Sequence, residues 1–322
     1  MNLDVTAMGE LLIDFTQNGK SEQGNDLFEA NPGGAPCNVL AMLTKLGKKT
    51  AFIGKVGDDH FGHLLLEVIT AVGIDSRGLM IDPVEHTTLA FVHNTPDGDR
   101  DFSFYRNPGA DQQITAAEVQ TDLIQNSKIF HFGSLSLTHS PARQATQTAV
   151  AAAKKANVTI SFDPNLRPPL WYSMEEARQQ IAWGCGQCDV LKISEEELFF
   201  LTDQQDIPSG VILLRRQYPN IQLILVTKGK EGAEAFIKSL HVSASSFLWV
   251  KTIDTTGAGD TFCGNCLAYL LDHDIHTLTE NQLSEMLTFA NAAASLVTTK
   301  RGAIRSMPTQ SEIESLLHPH VL

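Results

Sequence analysis

Short apolar runs alternate along the chain with longer stretches in which apolar residues recur every three or four positions. Runs of four or five residues are typical of strands that a sheet buries on both faces, and the longer pattern is typical of helices. The predicted strands cover 5–8, 50–53, 129–132, 158–162, 190–193 and 223–227. The predicted helices cover 38–46, 141–157, 174–184, 206–218, 260–273 and 281–300. This alternation predicts an α/β protein whose mainly parallel central sheet is covered by helices on both faces.

Two segments, 11–35 and 87–106, break this alternation with short strand-like runs and polar or glycine-containing turns. In the second segment, residues 89–93 and 101–105 flank the turn signal Pro96-Asp97-Gly98-Asp99, which is the pattern of a β-hairpin. We therefore expect both segments to contribute strands to a small β-sheet lid outside the main sheet. The whole chain, 1–322, is predicted to form a single domain that carries this lid.

The net charge of −13 argues against nucleic acid or an anionic membrane as the main partner. No apolar run approaches the roughly 18–20 residues of a membrane span, and residues 1–14 lack the basic start of a signal peptide. These features and the odd number of cysteines, five, predict a reduced, cytoplasmic protein. The pairs Cys185/Cys188 and Cys263/Cys266 have C-x-x-C spacing, but their separation favours core packing over a zinc or redox site.

The segment Asp254-Thr-Thr-Gly-Ala-Gly-Asp260 carries the clearest chemistry. Its two glycines allow a tight turn, and the helix-compatible residues that follow place backbone N–H groups of 257–260 at a helix N-terminus, which is a binding site for phosphate. A carboxylate there repels phosphate, so Asp260 is better explained as a base that takes a proton from an attacking hydroxyl group. No P-loop or dinucleotide fingerprint is present. The segment therefore predicts a kinase.

A second glycine cluster, Pro32-Gly33-Gly34-Ala35, precedes Asn38 and an apolar helix pattern. Paired glycines let a ligand lie against the backbone, and the Asn38 amide both donates and accepts hydrogen bonds, which suits sugar hydroxyl groups. A tight turn in which Asn38 caps the helix explains the same residues. The pattern alone leaves both interpretations open.

Three motifs in order resemble the ribokinase-like, or PfkB, carbohydrate kinases: 32–38, 54–62 and 254–260. The resemblance extends from Gly9 to Gly302. It implies a three-layer α/β/α fold with a β-sheet lid, ATP as phosphoryl donor and a sugar-like alcohol as acceptor. It also implies Asp260 as the catalytic base and the backbone amides of Gly257, Ala258 and Gly259 as an anion hole.

Other positions match the family's nucleotide-binding motifs one by one. Thr227 and Gly229 are similar to a strand-end motif near the nucleotide, and Asn291 matches a position that lines the adenine pocket. Residues 194–197 resemble the family's N-x-x-E motif, in which Glu197 would help to organise Mg²⁺ indirectly. Ser194 stands where that motif has Asn, which puts a direct nucleotide contact from this position in doubt.

The resemblance also implies a K⁺ site behind the anion-hole turn. Oxygen atoms would come from Asp254, Thr256, Val297, Lys300, Gly302 and Ser306. The alternative is that Asp254 only caps the turn.

The runs 104–111, 162–171 and 192–198 resemble the fructokinase branch and favour fructose as acceptor. The implied sugar-binding residues are Asp14, Gly33, Gly34, Asn38, Arg106 and Arg167, with Arg106 reaching the sugar from the lid and Arg167 clamping a phosphate. The alternatives are a 2-keto-3-deoxygluconate kinase and a non-catalytic sugar-binding homologue. Family analogy adds a homodimer formed through the lid.

Overall fold

The structure is a computed structural model that describes residues 2–94 and 100–318, with side chains described for 2–92 and 103–318. The turn predicted at 96–99 lies outside the described residues. The strands are β1 Leu3–Met8, β2 Leu12–Lys20, β3 Asp26–Gly33, β4 Thr50–Gly57, β5 Asp75–Asp82, β6 Leu89–Asn94, β7 Arg100–Tyr105, β8 Ser127–Gly133, β9 Thr159–Asp163, β10 Val190–Ser194, β11 Leu223–Thr227, β12 Ala233–Ile237 and β13 Leu240–Ala244.

The α-helices range from the five residues of 121–125 to the 18 residues of 280–297. They are α1 Ala35–Lys45, α2 His60–Val72, α3 Thr121–Gln125, α4 Ala142–Lys155, α5 Met174–Cys185, α6 Glu195–Thr202, α7 Ile207–Gln217, α8 Ala258–Asp272, α9 Glu280–Val297 and α10 Gln310–Leu317. Among the described residues, none of the helices combines the length and the apolar character needed to cross a membrane.

The main sheet of the described chain has nine strands in the order β13-β12-β11-β10-β9-β8-β1-β4-β5. The seven strands from β11 to β5 pair in parallel, and β12 and β13 add an antiparallel edge. Parallel strands need helical crossovers, which the α-helices supply. The predicted mainly parallel central sheet is confirmed.

Successive residues of one strand pack into two different apolar clusters, as the period of a strand requires. In β11, Leu223 and Leu225 belong to the cluster that contains residues of α1, α8 and α9, whereas Ile224 and Val226 belong to the cluster that contains residues of α4, α5 and α7. Helices therefore cover both faces of the sheet, and the three-layer α/β/α prediction is confirmed.

A second sheet of four strands has the order β3-β2-β6-β7. Its strands come from the two segments that break the main alternation. Phe91 stacks on Phe15 at 4.8 Å between ring centroids and contacts the Tyr105 ring edge-on at 5.3 Å. These aromatic pairs tie β2, β6 and β7 together. That this small sheet acts as a lid on a single kinase domain stays a prediction.

Several elements went unpredicted although the sequence held signals for them. Helix α2 begins after Asp59, whose carboxylate accepts the Gly62 N–H at 2.8 Å, and it ends at Gly73 with φ 98°. An acidic N-cap and a C-terminal glycine are ordinary helix boundaries. Helix α1 begins at Ala35, three residues before its predicted start, because Pro36 occupies its first turn and fits there.

All five cysteines are buried and none forms a disulfide bond. Burial raises the pKa of each of Cys185, Cys188, Cys263 and Cys266 far above the value of a free thiol. In the described part of the chain, no group of three His, Cys, Asp or Glu side chains is placed to hold a metal ion. The cysteines lie in the core, as the preferred interpretation of their spacing predicts.

Candidate active site

A cavity of about 420 Å³ opens at the carboxyl ends of β1, β9 and β10. This edge of a parallel sheet is where such folds bind ligands. Its wall combines Asp14, Gly34 and Asn38 from the N-terminal half with Arg167 and the turn 255–260 from the C-terminal half. The fold thus brings together motifs that are more than 200 residues apart in the chain.

The turn before α8 has the geometry that the glycine pattern predicts. Gly257 adopts φ 76°, a left-handed conformation that favours glycine, and a Cβ at this position would lie 2.5 Å from the Ala303 Cβ. Helix α8 begins at Ala258, so Asp260 lies in its first turn. The first N–H groups of a helix lack intrahelical partners and form an anion-binding site.

Asp260 is partly buried at this helix start, and Asn38 Nδ2 donates to its Oδ2 at 2.8 Å. Burial and, to a smaller extent, Asp163 raise the pKa of Asp260, whereas Asn38, Lys192 and Arg167 lower it, and the net result is a pKa of about 6. A general base works best when its pKa lies near the operating pH. Asp260 is thus ionised at neutral pH and is a stronger base than an exposed aspartate.

Lys192 and Asp163 form a buried ion pair near Asp260, which the sequence predictions missed. Lys192 Nζ lies 2.9 Å from Asp163 Oδ2, and the side chains are 9% and 3% exposed. A Cβ on Gly259 would lie 3.1 Å from the same Nζ, so the ammonium group contacts the anion-hole turn. A lysine inside an otherwise apolar buried strand was the available signal, because lysine is seldom buried without a partner.

Burial alone would lower the pKa of Lys192. The nearby carboxylates of Asp163, Glu197 and Asp260 outweigh this effect, so the pKa of Lys192 is raised. Lys192 therefore stays positively charged at any physiological pH. A fixed cation next to the anion-hole turn favours a phosphate group there.

The glycines of the N-terminal cluster let the chain turn closely beside the Asp14 carboxylate and the Glu10 backbone carbonyl group. A Cβ on Gly33 would collide with Asp14 Oδ2, and Gly34, with φ 124°, faces the Glu10 carbonyl oxygen at a distance that excludes a Cβ. The Asn38 amide group donates a hydrogen bond to Asp260, and the N-cap residue of α1 is Gly34. The alternative in which Asn38 caps the helix is therefore wrong.

Arg106 does not reach the cavity, contrary to the prediction. Its guanidinium group is 2% exposed and pairs with Asp111, with Nε to Oδ2 at 2.9 Å. It also donates to Thr138 Oγ1 at 3.2 Å and to the Leu135 carbonyl oxygen at 3.0 Å. A buried carboxylate close in sequence thus takes the hydrogen bonds that we expected Arg106 to offer to a substrate. Arg167 does line the cavity.

A second cavity, of about 290 Å³, adjoins the first and shares Thr255, Ala258 and Gly259 with it. Thr227, Gly229 and Asn291 line it, where the sequence predicts a nucleotide site. The Asn291 amide donates to the Ala244 and Ser245 carbonyl oxygens at 2.9 and 3.3 Å, so this side chain shapes the wall. The shared turn places a ligand in one cavity within reach of the other.

Ser194 lines neither cavity, so the predicted nucleotide contact is not seen. Its Oγ accepts the Glu197 N–H at 3.2 Å and caps α6, while Glu197 Oε2 accepts the Ser194 N–H at 2.8 Å. Glu197 Oε1 accepts the Leu166 N–H at 2.6 Å. This reciprocal capping box fixes Glu197 beside the loop that carries Arg167.

Asp254 joins the anion-hole turn to the loop after α9. Its Oδ1 accepts the Thr256 N–H at 2.9 Å, and its Oδ2 accepts the Gly302 N–H at 3.1 Å. Ser306 Oγ donates to the Arg301 carbonyl oxygen at 2.6 Å, and the Val297 carbonyl accepts the Lys300 N–H at 3.2 Å. The capping alternative for Asp254 is realised, and the K⁺ site stays a prediction.

The sequence model of the pfkB family carbohydrate kinases matches residues 2–310. The chain belongs to this family. It is therefore a phosphotransferase that uses an alcohol group as acceptor. The ribokinase-like architecture predicted from the motifs is confirmed.

Curated relatives and solved structures agree with this membership. Fructokinase-2 of Solanum lycopersicum is 44% identical over 315 residues, which are 97% of this chain and 95% of the relative. A fructokinase from Xylella fastidiosa with bound ATP superposes with a TM-score of 0.89 at 30% identity over 100% of both chains. A fructokinase double mutant from Vibrio cholerae O395 with fructose, ADP and potassium ion bound gives 0.88 at 32% identity, over 98% of this chain and 99% of that one.

Proposed function

We propose that this carbohydrate kinase is an ATP-dependent fructokinase that phosphorylates a primary hydroxyl group of D-fructose. The observation that carries the proposal is Asp260, held by Asn38 at the helix start that two adjoining cavities share. The fructokinase names of the relatives support the choice of fructose. They do not favour 2-keto-3-deoxygluconate, and the intact base and turn do not favour a non-catalytic homologue.

The sugar would occupy the part of the 420 Å³ cavity that Asp14, Gly34 and Asn38 line, with Gly33 packed against Asp14. A carboxylate accepts hydrogen bonds from sugar hydroxyl groups, and the glycine backbone permits close approach. ATP would occupy the adjoining cavity, with Thr227, Gly229 and Asn291 along its wall. The phosphoryl group to be transferred would then meet the acceptor hydroxyl at the shared turn.

Asp260 would take the proton of the acceptor hydroxyl as its oxygen bonds to the γ-phosphorus and the bond to the ADP oxygen breaks. The amides of Gly257, Ala258 and Gly259, together with Lys192 and Arg167, would stabilise the negative charge on the transferring group. Phosphoryl transfer depends chiefly on positioning and electrostatics. The contact of Lys192 with Gly259 provides such a fixed charge.

Two metal ions belong to the proposal. Mg²⁺ neutralises phosphate charge when it binds with ATP, and Glu197 is the residue that would help to hold it indirectly. A K⁺ ion would be held by Asp254 and Ser306 with carbonyl oxygens of Thr256, Val297, Lys300 and Gly302. Asp254 already fixes the turn to Gly302, so a cation there would stiffen the anion hole from behind.

Closure of the four-stranded sheet over the sugar would exclude water and suppress ATP hydrolysis. A homodimer through this sheet and a cytoplasmic location complete the proposal. They rest on family analogy and on the composition of the chain.

A coupled assay of ADP release tests the choice of substrate. The panel comprises fructose, ribose, tagatose, 2-keto-3-deoxygluconate, fructose 6-phosphate and adenosine at saturating ATP. We expect the highest kcat/KM for fructose. A higher value for any other acceptor would refute the proposed substrate, and sugar binding without ADP release would refute the kinase mechanism.

A further inference from the structure

Glu10 is a carboxyl group in the acceptor part of the cavity for which the proposed mechanism has no role. It lies two residues after the end of β1 and is 3% exposed, yet it lines the cavity together with Asp14, Asn38 and Asp260. Burial of a carboxyl group is costly unless its hydrogen bonds are satisfied. Its position at the cavity wall places it where an acceptor hydroxyl group would bind.

A hydrogen bond from the start of α1 fixes the position of this carboxyl group. Its Oε1 accepts the Ala35 N–H at 2.8 Å. The Glu10 carbonyl oxygen packs so closely against Gly34 that only glycine fits there. The carboxyl group is therefore held rigidly against the same turn that would receive the sugar, and such preorganisation strengthens binding.

The cations near the acceptor part do not cancel its negative charge. Arg106 pairs with Asp111 and Lys192 pairs with Asp163, so neither pair carries a net charge. Among the described residues, Glu10, Asp14 and Asp260 then give the cavity three carboxyl groups against one further lining cation, Arg167. A neutral polyhydroxyl compound can donate hydrogen bonds to these groups, whereas an acceptor that carries its own carboxylate or phosphate is repelled.

We infer that Glu10 is a specificity-determining residue whose carboxyl group hydrogen-bonds a hydroxyl group of a neutral sugar and disfavours anionic sugars. The inference rests on the acceptor site assigned above. Selection between related substrates commonly uses a repulsive element as well as an attractive one. Glu10 supplies both, because its hydrogen bond is charge-assisted and its charge opposes a substrate carboxylate.

Burial and, to a smaller extent, Asp111 raise the pKa of Glu10, whereas backbone hydrogen bonds and Arg106 lower it, and the net result is a pKa of about 7. Glu10 is therefore neutral below this pH and ionised above it. Burial and Glu10 raise the pKa of the Cys37 thiol, which stays protonated throughout this range. Rejection of an anionic acceptor should accordingly strengthen between pH 6 and pH 8. A ratio of two acceptors at one pH cancels the loss of the general base, and the Glu10→Gln variant separates the charge of Glu10 from that of Asp260.

The test compares Glu10→Gln with the wild-type enzyme on fructose and on 2-keto-3-deoxygluconate at pH 6 and pH 8. Glutamine keeps an oxygen for the Ala35 N–H and removes the charge. We expect KM for fructose to rise about ten- to hundredfold, as loss of a charge-assisted hydrogen bond predicts. KM for ATP should be unchanged. The ratio of kcat/KM for the acid to that for fructose should rise at pH 8, and it should depend less on pH than in the wild-type enzyme.

Asp14→Asn and the exposed Glu67→Gln are the matched variants. An unchanged KM for fructose and an unchanged ratio in Glu10→Gln, with a raised KM in Asp14→Asn, would overturn the role of Glu10 and leave the acceptor site standing. No effect in either variant would overturn the acceptor site as well. If Glu10→Gln raises KM for fructose and KM for ATP equally and lowers the melting temperature, Glu10 has a structural role only, and this result would also overturn the inference. Glu67→Gln should behave as wild type.

Discussion

Replacement of Lys192 by methionine removes the charge of a buried ion pair and keeps the length of the side chain. Asp163 would then be buried without its cation, because its carboxylate is 3% exposed and lies 2.9 Å from Lys192 Nζ. Breaking a buried pair by removing one partner costs about 3–5 kcal/mol. We expect the free energy of unfolding to fall by about that amount in Lys192→Met. The pKa of Lys192 is raised, so in the wild-type enzyme this side chain is charged throughout the range from pH 5 to pH 9, and the loss is measured at pH 7.

A second substitution separates this cause from simple loss of packing. In the double variant Lys192→Met/Asp163→Asn no unpaired charge remains at this pair, so part of the lost stability should return, by about 1 kcal/mol or more. Activity should stay low in both variants, because the anion-hole turn has lost its cation. Chemical denaturation of both variants and of the exposed control Lys155→Met measures the difference.

The same substitution should move the pH dependence of catalysis. Lys192 lowers the pKa of Asp260, which is about 6, so its removal raises that pKa. Because the base must be ionised, the rise of kcat/KM with pH should shift to higher pH. Lys192→Met with wild-type stability, or with an unshifted pH profile, would refute the account of this ion pair.

Three further predictions concern the turn and its surroundings. Gly257→Ala forces a Cβ onto a residue with φ 76° next to Ala303, so we expect a loss of about 1–3 kcal/mol in thermal denaturation and a large loss of kcat; wild-type behaviour would contradict the turn geometry. Asn291→Ala removes two hydrogen bonds to carbonyl groups and should raise KM for ATP by about three- to tenfold without changing KM for fructose; the reverse pattern would place the nucleotide elsewhere. Exchange of K⁺ for tetramethylammonium should lower the wild-type rate and leave Asp254→Asn unaffected; equal wild-type rates in the two salts would exclude the cation site.

The sequence predicted those features that depend on local pattern. The strand at 223–227 has its predicted bounds, because an apolar run between polar turns leaves little freedom. The turn at 254–260 and the helix after it were predicted together, because the spacing of the glycines and the helix-compatible residues that follow them are both local features of the sequence. The assignment of catalytic and binding roles to these residues stays a proposal.

The sequence did not reveal features that depend on which strands become neighbours. Asp163 and Lys192 are adjacent because β9 and β10 pair with Phe162 opposite Leu191. No local pattern encodes that register. Arg106 illustrates the opposite error, because family resemblance suggested a substrate contact while Asp111, five residues along the chain, binds the guanidinium group.

The most direct test of the central claim is the rate of ADP release by Asp260→Asn with fructose and ATP, together with calorimetric binding of each ligand. The account predicts a rate lower by about 10²–10⁴, the usual effect of losing a general base, while both ligands still bind. A near wild-type rate in this variant would show that Asp260 is not the base and would contradict the proposed mechanism.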